Sequence, residues 1–217
     1  VSVPDNVSDE VAAAVFFKAM TAQYLIQKTY KVKAGDVVLV HAAAGGVGML
    51  VCAWARSMGA LVMGTVSSEA KARIARDHGC QHVIVTSDYT FSAAVHHISQ
   101  GADVIIDGLG DAAREENFSA LAPCGHWISL GQASGPLQPI SPDWLVGKSV
   151  SFSRPVAFAY VATHAVLNQR AERVWQAFRE GVLLPVQTER FALKDATAAH
   201  ARLESRQSTG SLVLLPG

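Results

Sequence analysis

Four consecutive apolar residues, Val37-Val38-Leu39-Val40, run directly into the small and glycine-rich segment from Ala42 to Gly48, and that junction restricts the fold more than any other feature of the chain. A run that is apolar at every position suits a strand buried on both faces, as in a parallel sheet. From about Val47 to Met58 the pattern turns helical, and Gly59 stands where a helix C-cap is expected. Strand, tight turn and helix in that order predict the first half of a βαβ unit.

The alternation repeats. Leu61 to Thr65 reads as a second strand and Glu69 to His78 as a helix closed by Gly79. His82 to Val85, Asp103 to Asp107 and His126 to Leu130 read as three more strands, with helices over Phe91 to Ser99 and Ala112 to Leu121 between them. Val150 to Ser153 supplies a sixth after an irregular Gly/Pro-rich crossover from Gly131 to Pro142. The prediction is an α/β fold, a Rossmann-type doubly wound parallel sheet of about six strands. Before it, Ser8 caps one or two helices ending near Tyr30, followed by a turn at Lys33-Ala34-Gly35-Asp36. After it come a long helix over Ala162 to Glu180, a strand over Pro185 to Phe191, a helix from Leu193 to about Glu204 and a strand over Leu212 to Leu215. These last elements need not belong to the first sheet.

Composition narrows the partners. Half the residues are apolar and 17% are charged, which suits a helix-covered sheet and not a disordered chain. A formal net charge of zero, with no basic stripe, gives no reason to expect nucleic acid. Apolar runs are interrupted well before membrane-spanning length, so no membrane partner is expected. Cys52, Cys80 and Cys124 are far apart and form no CxxC pair, which suggests buried thiols, no zinc site and a reducing, cytoplasmic setting. The first residue is Val1, and the sequence is read as a processed chain or a fragment.

The glycine segment gives the first chemical expectation. Ala43-x-Gly45-x-x-Gly48 is the dinucleotide fingerprint with alanine first. Gly45 admits a pyrophosphate close to the backbone, Gly48 lets helix and sheet approach, and Gly46 and Val47 offer amides at a helix start. An NAD site usually carries an acid at the tip of the second strand, to bind the ribose. Here the tip reads Gly64-Thr65-Val66-Ser67-Ser68-Glu69, with Lys71 one helical step on. Ser68 and Lys71 suit a 2′-phosphate, so NADP(H) is the expected cofactor, with Glu69 pointing outward. Gly108, Gly131 and Gln132 follow strands four and five at the same sheet edge and could line the path to the nicotinamide. His41 ends strand one beside the loop and is read as making a structural hydrogen bond. Neither H-E-x-x-H nor G-x-S-x-G occurs, and no residue is assigned a catalytic role.

Several separate segments carry a resemblance. FKAMTAQYLI, HAAAGGVG, TVSSEAKA, SLGQASG, SFSRP and LESRQSTGSLVLLPG resemble the NADPH-dependent quinone oxidoreductases, the zeta-crystallin-like, zinc-free branch of the medium-chain dehydrogenase/reductase superfamily. The resemblance implies direct hydride transfer from NADPH to a quinone or related α,β-unsaturated carbonyl, in a cleft between two domains. It implies a loop of Ala43, Gly45, Gly46 and Val47, and 2′-phosphate contacts from Ser68 and Lys71. Near the nicotinamide it implies Gly131, Gln132 and Ala133 with Phe152, Ser153 and Arg154, and a phosphate contact from Arg206. A homodimer through the sixth strand is also implied.

Two positions depart from the family. Val85-Thr86-Ser87 stands where relatives have Asn-Tyr-Arg, which removes an aromatic contact with the adenine, and Asp107-Gly108-Leu109-Gly110 lacks a hydroxyl beside the cofactor. Relatives begin with a GroES-like catalytic domain that is mostly absent from this chain. Residues 1–15 are then a remnant of that domain, residues 16–155 are the NADP-binding domain, and residues 156–217 are helices and strands that complete the catalytic domain. A non-catalytic NADPH-binding protein and a structural protein retaining the fold are the alternatives to an enzyme.

Overall fold

The computed structural model describes residues 1–205 and 210–217. Its centre is a six-stranded sheet ordered β3-β2-β1-β4-β5-β6, every pair parallel. The strands are β1 (Val37–His41), β2 (Leu61–Val66), β3 (His82–Val85), β4 (Ala102–Asp107), β5 (Leu121–Ser129) and β6 (Ser151–Ser153). Strand order reverses between β1 and β4, and that reversal opens a crevice at the carboxyl edge, where sheets of this kind bind ligands.

Helices α2 (Gly46–Ser57), α3 (Glu69–Asp77), α4 (Ser92–Ile98) and α5 (Arg114–Ala120) make the crossovers. Gly59 and Gly79 follow α2 and α3 in the left-handed region, at φ +85° and +90°, which a side chain would resist. The two faces of the sheet have separate cores. Val38 and Val40 join the core under α2 and α3, while Leu39 joins the one under α4 and α5. The continuous apolar run of β1 is therefore consumed on both sides, at roughly 1.5–3 kcal/mol per buried side chain.

Helix α1 (Asp9–Tyr24) precedes the sheet and packs on α2. Ser8 caps it, its hydroxyl accepting from the Val11 amide at 3.3 Å, and a π-turn over Leu25–Thr29 ends it. Past β6, a short α7 (Ala157–Tyr160) leads to α8 (His164–Arg179), capped by Thr163. Helix α8 buries Ala171, Val174 and Trp175 in the same core as α1 and α2. The tail closes with β7 (Thr188–Ala192), α9 (Ala196–Glu204) and β8 (Ser211–Leu215), and the two strands form their own parallel sheet. That small sheet is tied to α1, where Ser211 Oγ donates to the Ala14 carbonyl at 2.8 Å.

The crossover after β5 is irregular from Gly131 to Pro142, as expected, and then forms a short helix, α6 (Asp143–Val146). Two expectations need correction. Strand β5 begins at Leu121 instead of His126, because its register with β4 slips between Ala102 and Val104. Cys52 and Cys80 are buried as expected, but Cys124 lies on the irregular part of β5 at φ +62° and is exposed.

Candidate cofactor cleft

The loop after β1 is held by its own backbone. Ala42 turns at φ +49°, and its carbonyl accepts from the Gly45 amide at 2.7 Å. The left-handed residue is thus Ala42 and not Ala43, which packs fully buried against Gly64. A Cβ on Gly48 would stand 2.3 Å from the Ala42 oxygen, and one on Gly64 2.5 Å from Ala43 Cβ. Glycine at both places sets how closely loop, helix and second strand can approach. Gly45 caps α2 with no side chain, so no side chain takes the first amides of the helix.

A cavity of about 350 Å³ opens in front of this loop, lined by Gly45, Ser67, Lys71, Thr86, Tyr89 and Ala133 among others. Lys71 Nζ donates to Ser67 Oγ at 3.2 Å. The Ser68 hydroxyl faces the start of α3, accepting from the Lys71 amide at 3.4 Å, so Ser67 rather than Ser68 faces the cavity beside Lys71. Glu69 is exposed, and no carboxylate lines the cavity.

On the other wall two loops are pressed together. A Cβ on Gly131 would meet the Gly108 carbonyl at 2.7 Å, while one on Gly108 would meet nothing within 4 Å. The Ala133 amide donates to the Gly108 carbonyl at 3.1 Å. Arg154 Nη2 donates to Gln132 Oε1 at 2.8 Å, which joins β6 to the β5 loop at the mouth of the cleft. Phe152 turns away, its ring edge-on to Trp127 at 4.9 Å, and Ser153 Oγ bonds the His126 ring at 2.8 Å. Neither of those two side chains faces the cavity. Arg206 lies outside the described residues.

Beneath the edge runs a buried polar chain. His41 is 2.8 Å from Thr65 Oγ1 and 2.7 Å from Asn117 Oδ1, and Asn117 Nδ2 donates to Asp107 at 3.2 Å. Asp107 also accepts from Trp127 Nε1 at 3.0 Å and from the Leu109 and Gly110 amides at 2.7 and 3.3 Å. Burial pushes the His41 pKa down, against the opposing pull of Asp107 and Asn117. His41 is therefore structural, as its position in the sequence suggests, but its partners on α5 and β4 are not legible from that position.

Sequence reasoning misses two residues. Tyr89 reaches the cavity from a left-handed turn at φ +64°, held by Asp88, whose carboxylate accepts from Thr86 Oγ1 and from the Thr90 amide. The cleft therefore does have an aromatic wall, supplied three residues after Thr86. Lys18 of α1 lies across the start of α2, its chain where a Gly46 side chain would be, and its ammonium donates to Ser211 Oγ. Both contacts depend on long-range packing that no local pattern signals.

The profile of the zinc-binding dehydrogenases matches residues 46–171. A 2-haloacrylate reductase from a Burkholderia species is 40% identical over 97% of the chain and 65% of its own length. A quinone oxidoreductase from Pseudomonas aeruginosa is 38% identical over 100% of the chain and 67% of its own length. The solved structure of Escherichia coli quinone oxidoreductase complexed with NADPH superposes with a TM-score of 0.94 at 33% identity, covering 100% of this chain and 67% of that one. The chain thus spans about two thirds of the length of these relatives. The crevice, its fingerprint loop and these matches agree: the chain belongs to the zinc-binding dehydrogenase family and, within it, to the quinone oxidoreductases.

Proposed function

We propose that this chain binds NADPH in the crevice and serves the reduction of quinones or related α,β-unsaturated carbonyls. The observation that carries the reading is the cavity itself: Lys71 and Ser67 face it at the tip of β2, and no carboxylate competes for the ribose. The site fits the cofactor. Amides of Gly46 and Val47, uncapped by any side chain, suit a pyrophosphate, and the open space at Gly108 leaves room for a ribose. When bound, the dihydronicotinamide supplies a hydride.

The chain's own residues do the positioning. Lys71 and Ser67 hold the 2′-phosphate, Ser68 caps the helix that carries Lys71, and Thr86 and Tyr89 flank the adenosine. Gly131, Gln132 and Ala133 line the approach to the nicotinamide, with the Gln132–Arg154 pair at its mouth. Chemistry of this kind asks for alignment and exclusion of water more than for a side-chain nucleophile. Direct hydride transfer asks for no metal in this reading.

The same reading assigns residues 1–15 and much of 156–217 to a second domain. Their mutual packing supports it: Glu10 Oε1 accepts from Arg190 Nε and Thr188 Oγ1, each at 2.7 Å. A cytoplasmic homodimer joined at β6 completes the proposal. In support, β6 pairs only with β5 among the described residues, and none of their helices is long and apolar enough to cross a membrane.

Calorimetric titration with NADPH and NADH, followed by NADPH oxidation with 1,4-benzoquinone, tests the function. Selective NADPH binding with turnover is expected. Binding without turnover would favour a non-catalytic NADPH-binding protein, and no binding would defeat the reading.

A further inference from the structure

A second cavity, of about 790 Å³, lies between the end of α1 and helices α7 and α8. It shares no lining residue with the cofactor cleft. Met58, just past the end of α2, lines it, whereas the cofactor loop sits at the start of that helix. At 1.5 Å per residue the two sites are about 18 Å apart along α2.

Its walls are cationic. Lys28, Lys31, Arg170 and Arg173 line it, and none of its lining residues is Asp or Glu. Among the described residues none of these four cations has a carboxylate within ion-pair distance.

Arg170 is the telling member, because it is only 7% exposed. Its Nε donates to the Tyr160 carbonyl at 2.7 Å, and its Nη1 to Gln23 Oε1. Its carbon Cζ sits 5.8 Å from the centre of the Tyr160 ring. Every one of these partners is neutral. Gln27 Oε1 is already shared by Gln23 Nε2 at 2.9 Å and Arg173 Nη1 at 3.5 Å. Burial lowers the Arg170 pKa, partly opposed by Tyr160, and the like charge of Arg173 adds a smaller push in the same direction as burial. A guanidinium does not give up its proton in such a setting, so the charge stays. Buried charges are ordinarily matched by a counter-charge, and here the missing half is an anion.

We propose that this cavity is a binding site for a small phosphorylated molecule carrying two or more phosphate charges. The N–H groups of Arg170 and Arg173 beyond those given to Tyr160, Gln23 and Gln27 offer donors to phosphate oxygens, and two ammoniums add charge without fixed geometry. The volume suits a small-molecule ligand. A single carboxylate would leave most of the four charges unmatched.

The test is calorimetry of inorganic pyrophosphate against the full chain at low ionic strength, repeated on two variants. Lys71→Gln weakens the phosphate end of the cofactor cleft, and the double variant Lys28→Gln with Arg173→Gln weakens the second cavity. Both substituted residues of the double variant are exposed, so its thermal midpoint without ligand should match wild type. Saturable binding that survives Lys71→Gln and falls at least tenfold in the double variant is expected, together with a pyrophosphate-induced rise in midpoint that the double variant loses. The absence of saturable binding overturns the proposal. So does binding that responds to Lys71→Gln alone, or binding equal in all three proteins.

Discussion

His41 Nε2 lies 2.7 Å from Asn117 Oδ1, and the rest of the chain of bonds fixes which atom carries the proton. Asn117 spends its Nδ2 on the Asp107 carboxylate, so Oδ1 is left to accept. His41 must then donate from Nε2, and with burial favouring the neutral ring, Nδ1 is left to accept from the Thr65 hydroxyl. Through Asp107 the same bonds reach the Leu109 and Gly110 amides, so the loop bearing Gly108 is anchored to β1 by a neutral histidine.

The first prediction concerns acid. Burial keeps His41 neutral in the fold, while an unfolded histidine takes up a proton below about pH 6.5. A folded pKa below the unfolded one gives stability that is complete above that pH and is lost as pH falls through it. Urea unfolding between pH 5 and 8 should show this decline, and His41→Gln should flatten it. Parallel pH curves for the two proteins would acquit His41.

Asn117→Leu keeps the bulk and deletes the relay. It leaves the His41 N–H and an Asp107 oxygen short of a partner, at about 1–3 kcal/mol for each buried group left unsatisfied. The urea midpoint should drop accordingly, and NADPH affinity should drop with it as the Gly108 loop loosens. A variant with normal stability would mean that water replaces the amide.

Two glycines in the site should behave oppositely. Gly48→Ala drives a Cβ to 2.3 Å from the Ala42 carbonyl, a backbone atom that cannot swing away, so both folding and cofactor binding should suffer. Gly108→Ala meets nothing within 4 Å and should leave the thermal midpoint nearly unchanged while crowding the cleft. Differential scanning calorimetry separates the two at once.

Lys71→Ala should cost NADPH about 1.5–3 kcal/mol, the usual worth of a hydrogen bond to a charged group, or roughly 10–150-fold in Kd. NADH, lacking the 2′-phosphate, should be nearly indifferent. Equal losses for both cofactors would remove Lys71 from the phosphate site.

Tyr89→Gly should move stability and binding in opposite directions. Glycine relieves the left-handed strain at φ +64°, worth about 1 kcal/mol, and deletes the aromatic wall, worth about 1–3 kcal/mol if a base stacks there. Higher thermal stability with weaker NADPH binding is the expected pair of results.

The order of the first strands and helices is plain in the sequence because β1, β2 and β4 are mainly apolar and α2 and α3 end at Gly59 and Gly79. The glycine loop and Lys71 are legible for the same reason, since their roles follow from spacing along one βαβ unit. Phe152 and Ser153 show the limit. Their place beside the cleft is a matter of sequence order, but which way each side chain turns is decided by Trp127 and His126 on the neighbouring strand. Tyr89 escapes because its direction depends on a strained turn, and Arg170 because a buried cation has no local signature.

Lys18 and Ser211 stand 193 residues apart, yet the ammonium of one rests on the hydroxyl of the other. A ribosome making this polypeptide finishes the α1 helix long before it supplies the serine. Throughout that interval the lysine beside Gly46 has no native partner, and the lid over the α2 start stays unlatched. The glycine loop can close early on its own backbone bonds, whereas the latch across the α2 start is a late event in vectorial synthesis.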